Sequence, residues 1–378
     1  METLEERHTR EVTEMQRRHK REAQELQDRQ RRETGELRER HVREVRYSAE
    51  AAFAPEGGSA AGTTTEVKRR KRNVPTPSAA EPLRNPQIYV LGGKAGASVF
   101  STVERFNPCG ESWCDDVDAM SARRGRPAAA VLQGRLYALG GFDHRATPCA
   151  MVERFDTSAM EWCSVSPMLQ PRADFAAAAL GGAVYAIGGV DEDSEELPAV
   201  ERFDPRTGKW TAAAPLRRPR CGHCAVAAGD AIFALGGYDG SSVVSTVERL
   251  DVRMGVWAEH APMTTCRKDF AAAVLGCDLY ALGGHDDEAC QLSSVERLDL
   301  GVASPVWVAA PAMHAARSGL AAVALQGELY AMGGVGGEYD KLSSVERFVP
   351  RAGAWVRAPD MPTARSDFAA AVLGDAAA

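Results

Sequence analysis

Six short apolar stretches, each ending in two glycines, recur along the part of the chain that follows residue 85. Their second glycines lie 48, 48, 48, 47 and 50 residues apart. Internal repeats with a period of about 50 residues predict a β-propeller in which each repeat forms one blade. The six copies are Ile88–Gly93, Leu136–Gly141, Val184–Gly189, Ile232–Gly237, Leu279–Gly284 and Leu329–Gly334.

The pattern of apolar residues within one repeat predicts four short strands. In one copy an alanine-rich strand, Phe175–Leu180, is followed after a glycine turn by the strand Val184–Ile187. Ala199–Phe203 comes after an acidic loop, and a last strand carries Trp210. Short strands at regular spacing, separated by Gly, Asp and Pro turns, predict an all-β fold. Alanine suits the first strands because blades meet closely near a propeller axis.

Each glycine pair is followed by a Val-Glu-Arg element and then by one tryptophan. The elements are Val103–Arg105, Val152–Arg154, Val200–Arg202, Val247–Arg249, Val295–Arg297 and Val345–Arg347, and the tryptophans are Trp113, Trp162, Trp210, Trp257, Trp307 and Trp355. Over about residues 86–374 these motifs resemble the kelch repeat family. The resemblance implies a six-bladed β-propeller.

The two ends of the repeat region predict how the ring closes. The region begins with Gln87–Gly93, a second strand without a first, and ends with Ser366–Leu373, a first strand without a second. Pairing these strands would leave neither of them as an orphan sheet edge, and the kelch resemblance implies the same closure. We therefore expect residues 86–378 to form one closed propeller.

An unrelated repeat of eleven residues covers residues 6–47. Eleven residues in three turns keep one stripe on one side of a helix, so residues 1–47 are predicted to form a long, charged α-helix. Two interpretations remain open: a coiled coil that joins two copies of the chain through residues 6–47, or a solitary helix, because the stripe is half polar. One repeated column holds Arg10, Arg21, Arg32 and Arg43.

Residues 48–85 are rich in Ala, Gly, Ser, Thr and Pro and have no periodicity, which predicts a flexible linker. The linker contains a run of five basic residues. Such a run is either a nuclear-import signal or a solvated stretch of charge. It consists of Lys68, Arg69, Arg70, Lys71 and Arg72.

Composition narrows the classes of function. The net charge of −7 argues against a specific nucleic-acid partner, and no run of 18 apolar residues predicts a membrane span. Nine cysteines are an odd number and fit free thiols in a reducing compartment better than a disulfide framework. We therefore expect a protein of the cytoplasm or the nucleus.

One face of the propeller is the candidate binding surface. Because neighbouring strands run in opposite directions, the loops after the second and fourth strands share this loop face. It carries the residue after each glycine pair, namely Lys94, Phe142, Val190, Tyr238, His285 and Val335, and one arginine per repeat, namely Arg124, Arg172, Arg220, Arg267, Arg317 and Arg365. In kelch substrate adaptors, arginines at this kind of position contact acidic peptides. Their sixfold recurrence also fits a structural role repeated in every blade.

Positions at which the repeats differ are better candidates for specificity. Two residues after each arginine stand Arg126, Asp174, Gly222, Asp269, Gly319 and Asp367. The loops add His144 and Arg145 in one repeat and an acidic run over residues 191–196 in the next. We expect a rim of both charges with aromatic anchors, most basic around Lys94, Arg126 and Arg145, that binds a charged peptide.

No motif points to catalysis. Cys221-Gly-His-Cys224 resembles a thiol-disulfide motif in isolation, but the repeat register puts it at the start of an inner strand, in place of Ala173–Ala176. The other histidines lack the spacing of metal ligands. The sequence therefore predicts no enzymatic activity, no cofactor and no metal.

The function that the sequence favours is an interaction scaffold or substrate-recognition module for a charged peptide or protein. One alternative is a ubiquitin-ligase adaptor, although the usual BTB and BACK domains would need far more than the 85 residues before the propeller. A second alternative is an actin- or cytoskeleton-binding protein. An enzyme with a site on the propeller axis is the least favoured.

Overall fold

The computed structural model describes residues 86–157, 159–288, 290–337 and 339–374. Within this part of the chain every regular element is a β-strand, and no helix there is long and apolar enough to cross a membrane. Several predictions lie outside the described residues: the helix over residues 1–47, the dimer contact through residues 6–47, the linker over residues 48–85 and its basic run at residues 68–72.

The strands form six antiparallel sheets of four strands each, one sheet per blade. Blade 1 contains Gln87–Leu91, Val103–Asn107, Ser112–Cys114 and the last strand of the chain, Ala369–Leu373. Blade 2 contains Ala128–Leu132, Arg135–Leu139, Val152–Asp156 and Glu161–Val165, and blade 3 contains Ala176–Leu180, Ala183–Ile187, Val200–Asp204 and Lys209–Ala213.

The remaining blades repeat this order. Blade 4 contains Cys224–Ala228, Ala231–Leu235, Val247–Asp251 and Val256–His260, and blade 5 contains Ala271–Leu275, Asp278–Leu282, Val295–Asp299 and Trp307–Ala310. Blade 6 contains Ala321–Leu325, Glu328–Met332, Val345–Val349 and Ala354–Ala358. A small hairpin, Lys94–Ala95 with Ser98–Val99, lies in a loop of blade 1. The prediction of an all-β propeller with six blades is confirmed.

Blade 1 closes the ring with strands from both ends of the domain. Gln87–Leu91 pairs in antiparallel fashion with Ala369–Leu373, which places Tyr89 opposite Ala371. On its other side the same strand pairs with Val103–Asn107. The backbone of the first strand is therefore paired on both edges, as the predicted closure requires.

The first strand of each blade lies innermost, and the core fills the spaces between blades. First strands of neighbouring blades contact one another around the ring, including Ala369–Leu373 against Ala128–Leu132. Farther out, Tyr137 of blade 2 belongs to one buried cluster with Phe203 and Trp210 of blade 3. The ring centroids of Tyr137 and Phe203 are 5.9 Å apart. Small residues near the axis and aromatic residues outside thus match the widening space between sheets.

Each of the six tryptophans links its blade to the preceding one. The indole N–H of Trp210 donates to the carbonyl of Ser166 at 2.9 Å, and the other blades repeat this bond. In blade 1, Trp113 donates to the carbonyl of Pro359 in blade 6, also at 2.9 Å. The bond satisfies a donor that packing removes from water, and it continues across the ring closure.

The paired glycines allow a close backbone contact between successive blades. Gly140 and Gly141 have φ angles of 50° and 92°, where a side chain causes strain. A Cβ on Gly140 would lie 2.6 Å from the carbonyl oxygen of Arg172, and one on Gly141 would lie 2.7 Å from that of Gly125. The N–H of Gly141 donates to the same carbonyl of Arg172 at 3.0 Å. The repeated glycines are therefore an architectural feature.

Candidate functional site

The two sets of loop residues predicted to share a face do lie together. The residue after each glycine pair forms an antiparallel bridge with the residue three positions before the first strand of the same blade. These bridges are Lys94 with Ser366, Phe142 with Gly125, Val190 with Ala173, Tyr238 with Cys221, His285 with Lys268 and Val335 with Ser318. Loops of the same blade thus meet at one face of the propeller, and this face is the loop face.

The six recurring arginines are not part of the exposed surface. Their exposed fractions are 0–1% in all six blades. Arg172 shows the arrangement: Nη1 donates to the carbonyls of Gly188 and Ala199, both at 2.9 Å, and Nη2 donates to Glu201 Oε1 at 2.6 Å. A guanidinium held this way cannot contact a partner directly. The assignment to partner binding is therefore corrected for Arg124, Arg172, Arg220, Arg267, Arg317 and Arg365, which have the structural role instead.

The glutamate of each Val-Glu-Arg element forms an ion pair with this arginine. In most blades it also accepts hydrogen bonds from the loop before the blade. Glu201 Oε2 accepts the backbone N–H of Leu169 at 2.6 Å, and Glu153 Oε2 accepts that of Ser121 at 2.7 Å. Burial favours the neutral acid, but hydrogen bonds from Arg124 and Ser121 outweigh it and hold the pKa of Glu153 below its usual value. In blade 1 the equivalent donor is missing because Pro362 has no N–H, and Glu104 Oε2 is without a partner among the described residues.

The positions two residues after the arginines surround the propeller axis. All six have φ between 50° and 59°, and their backbones are hydrogen-bonded from blade to blade. The bonds run from Arg126 N to Asp367 O at 2.8 Å, Gly222 N to Asp174 O at 3.0 Å, Asp269 N to Gly222 O at 2.8 Å, Gly319 N to Asp269 O at 2.7 Å and Asp367 N to Gly319 O at 2.8 Å. Four of the six residues in this axial ring carry charged side chains.

The charged side chains of the axial ring form one ionic cluster, which we call the axial cluster: Arg126, Asp174, Asp269 and Asp367. Arg126 bonds to Asp174, and its nitrogens lie 3.3 Å from Asp269 Oδ1 and 3.4 Å from Asp367 Oδ1. Lys94 Nζ lies 3.0 Å from Asp367 Oδ2. The prediction of a basic region is therefore wrong for Lys94 and Arg126, because three carboxylates neutralise their charges. Arg145 is not part of this cluster.

Three carboxyl groups around one guanidinium titrate differently. Burial and the charges of Asp269 and Asp367 raise the pKa of Asp174 to about 6, although Arg126 opposes the shift. Burial also disfavours ionisation of Asp269 and Asp367, but attraction to Arg126 and to nearby cations holds the pKa of both below the usual value. Arg126 itself has a raised pKa, because the three carboxylates outweigh its burial. One carboxyl of the axial cluster thus becomes protonated before the others.

The other predicted site residues surround this cluster at different depths. Phe142, Tyr238 and His285 are half-buried, whereas His144 and Arg145 are exposed. The Tyr238 hydroxyl donates to Gly240 O at 3.1 Å. Lys268, which the sequence did not single out, has its Nζ 5.6 Å from the Tyr238 ring centroid. His285 Nδ1 lies 3.7 Å from Asp269 Oδ2, which connects the rim to the axial cluster.

Cys221, His223 and Cys224 are structural residues of an inner strand, as the repeat register predicts. Burial is the main cause that raises the pKa of both thiols, to about 12 for Cys224, so neither is activated as a nucleophile. The Cys224 thiol donates to the carbonyl of Phe270 at 3.0 Å. Across the described ranges, no group of three or more His, Cys, Asp or Glu residues is placed to hold a metal ion.

Comparison with known proteins agrees with this architecture. The model of the KLHDC2/KLHL20/DRC7 Kelch-repeats domain matches residues 78–265 and 128–334, and the Kelch motif matches residues 316–362. The solved structure of YjhT has the same fold, with a TM-score of 0.60 at 14% sequence identity, over 67% of this chain and 88% of that one.

Curated relatives share shorter segments. The human Kelch repeat and BTB domain-containing protein 13 is 36% identical over 89 residues, which is 23% of this chain and 19% of that protein. An F-box/kelch-repeat protein of Arabidopsis thaliana is 34% identical over 84 residues, 21% of this chain and 18% of that protein. The matched segments thus span less than a fifth of each relative. The family model covers more than half of this chain, which therefore belongs to the kelch-repeat β-propeller family.

Proposed function

We propose that this protein is a non-enzymatic interaction module that binds a charged peptide or protein on its loop face. One observation carries the proposal. The arginines, glutamates, glycines and tryptophans that hold the blades together recur in all six repeats, whereas the loop-face residues differ from blade to blade. Recognition of an asymmetric partner needs such differences.

Charge on this face favours a partner with basic residues. Residues 86–378 contain 36 acidic and 26 basic residues. Glu192, Asp193 and Glu195 are exposed in the loop of blade 3, and Asp287 and Glu288 are exposed in the loop of blade 5. This acidic sector flanks the half-buried Tyr238 of blade 4. An aromatic anchor between acidic loops suits a peptide that alternates basic and apolar side chains.

The test is partner capture with the full-length chain and a loop-face variant, Glu192→Lys with Asp193→Lys and Tyr238→Ala. We expect the variant to keep its thermal stability and to lose the partners of the unmodified chain, while Glu111→Lys with Asp230→Lys, on the opposite face, retains them. An unchanged set of partners in the loop-face variant would refute binding through this face and direct attention to residues 1–47.

A ubiquitin-ligase adaptor is a second proposal, favoured by relatives whose names include BTB and F-box domains. Its test is whether the full chain co-purifies with a cullin scaffold and whether deletion of residues 1–85 abolishes that contact. Binding to actin or the cytoskeleton would be tested by co-sedimentation with filaments. An axial enzyme is least favoured, because Arg126 occupies the centre of the three carboxylates.

Location and self-association are also proposals. We expect the protein in the cytoplasm or the nucleus, and a fluorescent fusion with the five residues Lys68–Arg72 changed to alanine would measure any contribution of this run to import. Sedimentation of residues 1–50 at several concentrations would distinguish a dimeric coiled coil from a solitary helix.

A further inference from the structure

Trp113 and Trp162 are less covered than the other four tryptophans. Trp210, Trp257, Trp307 and Trp355 are each 4–6% exposed. Trp162 of blade 2 makes the same indole bond, to Asp118 O at 2.9 Å, yet its side chain is only partly buried. All six indoles therefore make this hydrogen bond, whereas the exposure of the ring differs between blades.

The segment before blade 2 differs in sequence from the segments before the other blades. A proline stands one or two residues before the methionine or leucine that ends the segment between most successive blades: Pro167, Pro215, Pro262, Pro311 and Pro359. The segment between blades 1 and 2 reads Val117-Asp-Ala-Met120 and has no proline. Ala119 occupies the position of Pro167. The fourth strand of blade 1 is also short, with three residues from Ser112 to Cys114.

The outer surface between blades 1 and 2 has a shallow, open cavity at this place. Its volume is about 340 Å³, and it is lined by Asp118, Ala119, Ser121, Glu161 and Trp162. The Trp162 ring packs against Phe155, with 5.3 Å between ring centroids, which fixes its orientation. Asp118 and Glu161 are both exposed, and neither forms an ion pair with another described residue. The cavity thus combines a fixed indole with two carboxylates at its rim.

We infer that this cavity is a second binding site, which takes the guanidinium of an arginine side chain from a protein partner. An indole is the best aromatic partner for a cation, and carboxylates bind guanidinium through directed hydrogen bonds. A planar guanidinium can stack face to face on the indole while its edge donates to a carboxylate, a geometry that the compact ammonium group lacks. Two carboxylates at the rim would repel an anionic group.

The experiment is a titration of the isotopically labelled full chain, followed by NMR, with a capped pentapeptide Gly-Ser-Arg-Gly-Ser. The control peptide carries citrulline, which is neutral and nearly the same shape, in place of arginine. We expect saturable shifts of the Trp162 indole signal with weak affinity, as for a single side-chain contact, and no such shifts with citrulline. The indole signal of buried Trp257 is the internal reference.

Two variants test the assignment without truncating the tryptophan. Asp118→Asn with Glu161→Gln should weaken binding of the arginine peptide by about fivefold or more. Ala119→Pro should block this binding, because it places a proline ring where Pro167 stands before blade 3. Asp230→Asn with Glu259→Gln, the same charge change in blade 4, should leave the affinity unchanged. Equal shifts with citrulline, or full affinity in the Asp118/Glu161 variant, would overturn the site.

Discussion

Two residues show how a repeated position acquires a different role when a single blade departs from the pattern. Arg126 replaces the Asp or Gly of other blades and holds three carboxylates together at the axis. His223 stands at the position that three other blades fill with phenylalanine, namely Phe175, Phe270 and Phe368. Its Cε1 lies 2.7 Å from the position of a Cβ on Gly188, and that of Phe175 lies equally close to the position of a Cβ on Gly140. The backbone is the same, and only the chemistry of the side chain changes.

The first prediction concerns His223, which is 6% exposed with no partner among the described residues for either ring nitrogen. Burial, and then the charges of Arg220 and Arg172, lower the pKa of His223 from 6.5 to about 3. Below pH 6.5 the imidazole of His223 is therefore protonated in the unfolded chain but stays neutral in the folded chain. The free energy of unfolding consequently falls as the pH decreases towards 3. Between pH 8 and pH 5 the unmodified protein should therefore lose about 2 kcal/mol more free energy of unfolding than His223→Phe does.

Urea unfolding of both proteins at pH 8 and pH 5 measures this difference. His144→Phe, at an exposed histidine of the loop face, is the matched control and should show the pH dependence of the unmodified protein. The same pH dependence in His223→Phe and the unmodified protein would contradict the buried, neutral state of His223.

The second prediction concerns the axial cluster. Arg126→Met leaves Asp174, Asp269 and Asp367 facing one another without a cation between them. The free energy of unfolding should therefore fall by about 2 kcal/mol at pH 8. Without the guanidinium the pKa values of these carboxyls rise, and protonation relieves their repulsion. The loss of stability should therefore shrink between pH 8 and pH 5. Urea midpoints at the two pH values measure it, with exposed Arg145→Met as control; a pH-independent loss would contradict the ionic role.

Part of this ionic cluster could be predicted from the position of Arg126 in the sequence. One arginine and three aspartates occupy the same register in four repeats, and a narrow ring brings that register together, so opposite charges there should pair. The sequence could not show how deeply the side chains lie. Their spacing from the axis depends on the packing of all six inner strands, and that packing decides whether Arg126 faces a partner or the carboxylates.

At the scale of elements, the buried Arg–Glu pair connects the loop before a blade to the blade's third strand. Recurrence of both residues in all six copies indicated a structural role, but the sequence left partner binding open. Burial decides between them: Arg172 and Glu201 are 0% and 3% exposed. A buried pair of this kind stabilises the fold only while both members are present, because either one alone is an uncompensated charge.

The third prediction is a double-mutant cycle on this pair. Arg172→Met should cost about 3 kcal/mol, since it leaves Glu201 buried without its cation. The double variant Arg172→Met with Glu201→Leu should cost less than the two single variants together, with a coupling of about 2 kcal/mol. Urea unfolding measures all four proteins. The exposed pair Arg357 and Asp360 should give no measurable coupling, and additive costs at the buried pair would contradict the assignment.

At the scale of the molecule, the repeat made the architecture predictable. The Gly-Gly stretches identified the blades, and the unmatched strands at Gln87–Gly93 and Ser366–Leu373 predicted the closure that pairs Tyr89 with Ala371. The partial exposure of Trp162 was harder to predict, because Trp113 is only partly buried as well although Pro359 stands in the segment before its blade. Features repeated six times can be inferred from one chain, whereas single departures need the contacts between blades.

The fourth prediction tests the closure of the ring. Deletion of residues 366–378 removes the innermost strand of blade 1 and, with it, the backbone bonds of Lys94 to Ser366, each about 3 Å long. The truncated chain would expose an unpaired strand edge and the first blade's core, so we expect its cooperative thermal transition to disappear. Deletion of residues 375–378 alone keeps the closing strand and should leave the melting curve unchanged. A synthetic peptide of residues 366–378 added to the longer deletion should restore the transition, because it supplies the same strand to the same edge. A truncated protein that melts cooperatively at the temperature of the full chain would show that the ring does not depend on this strand.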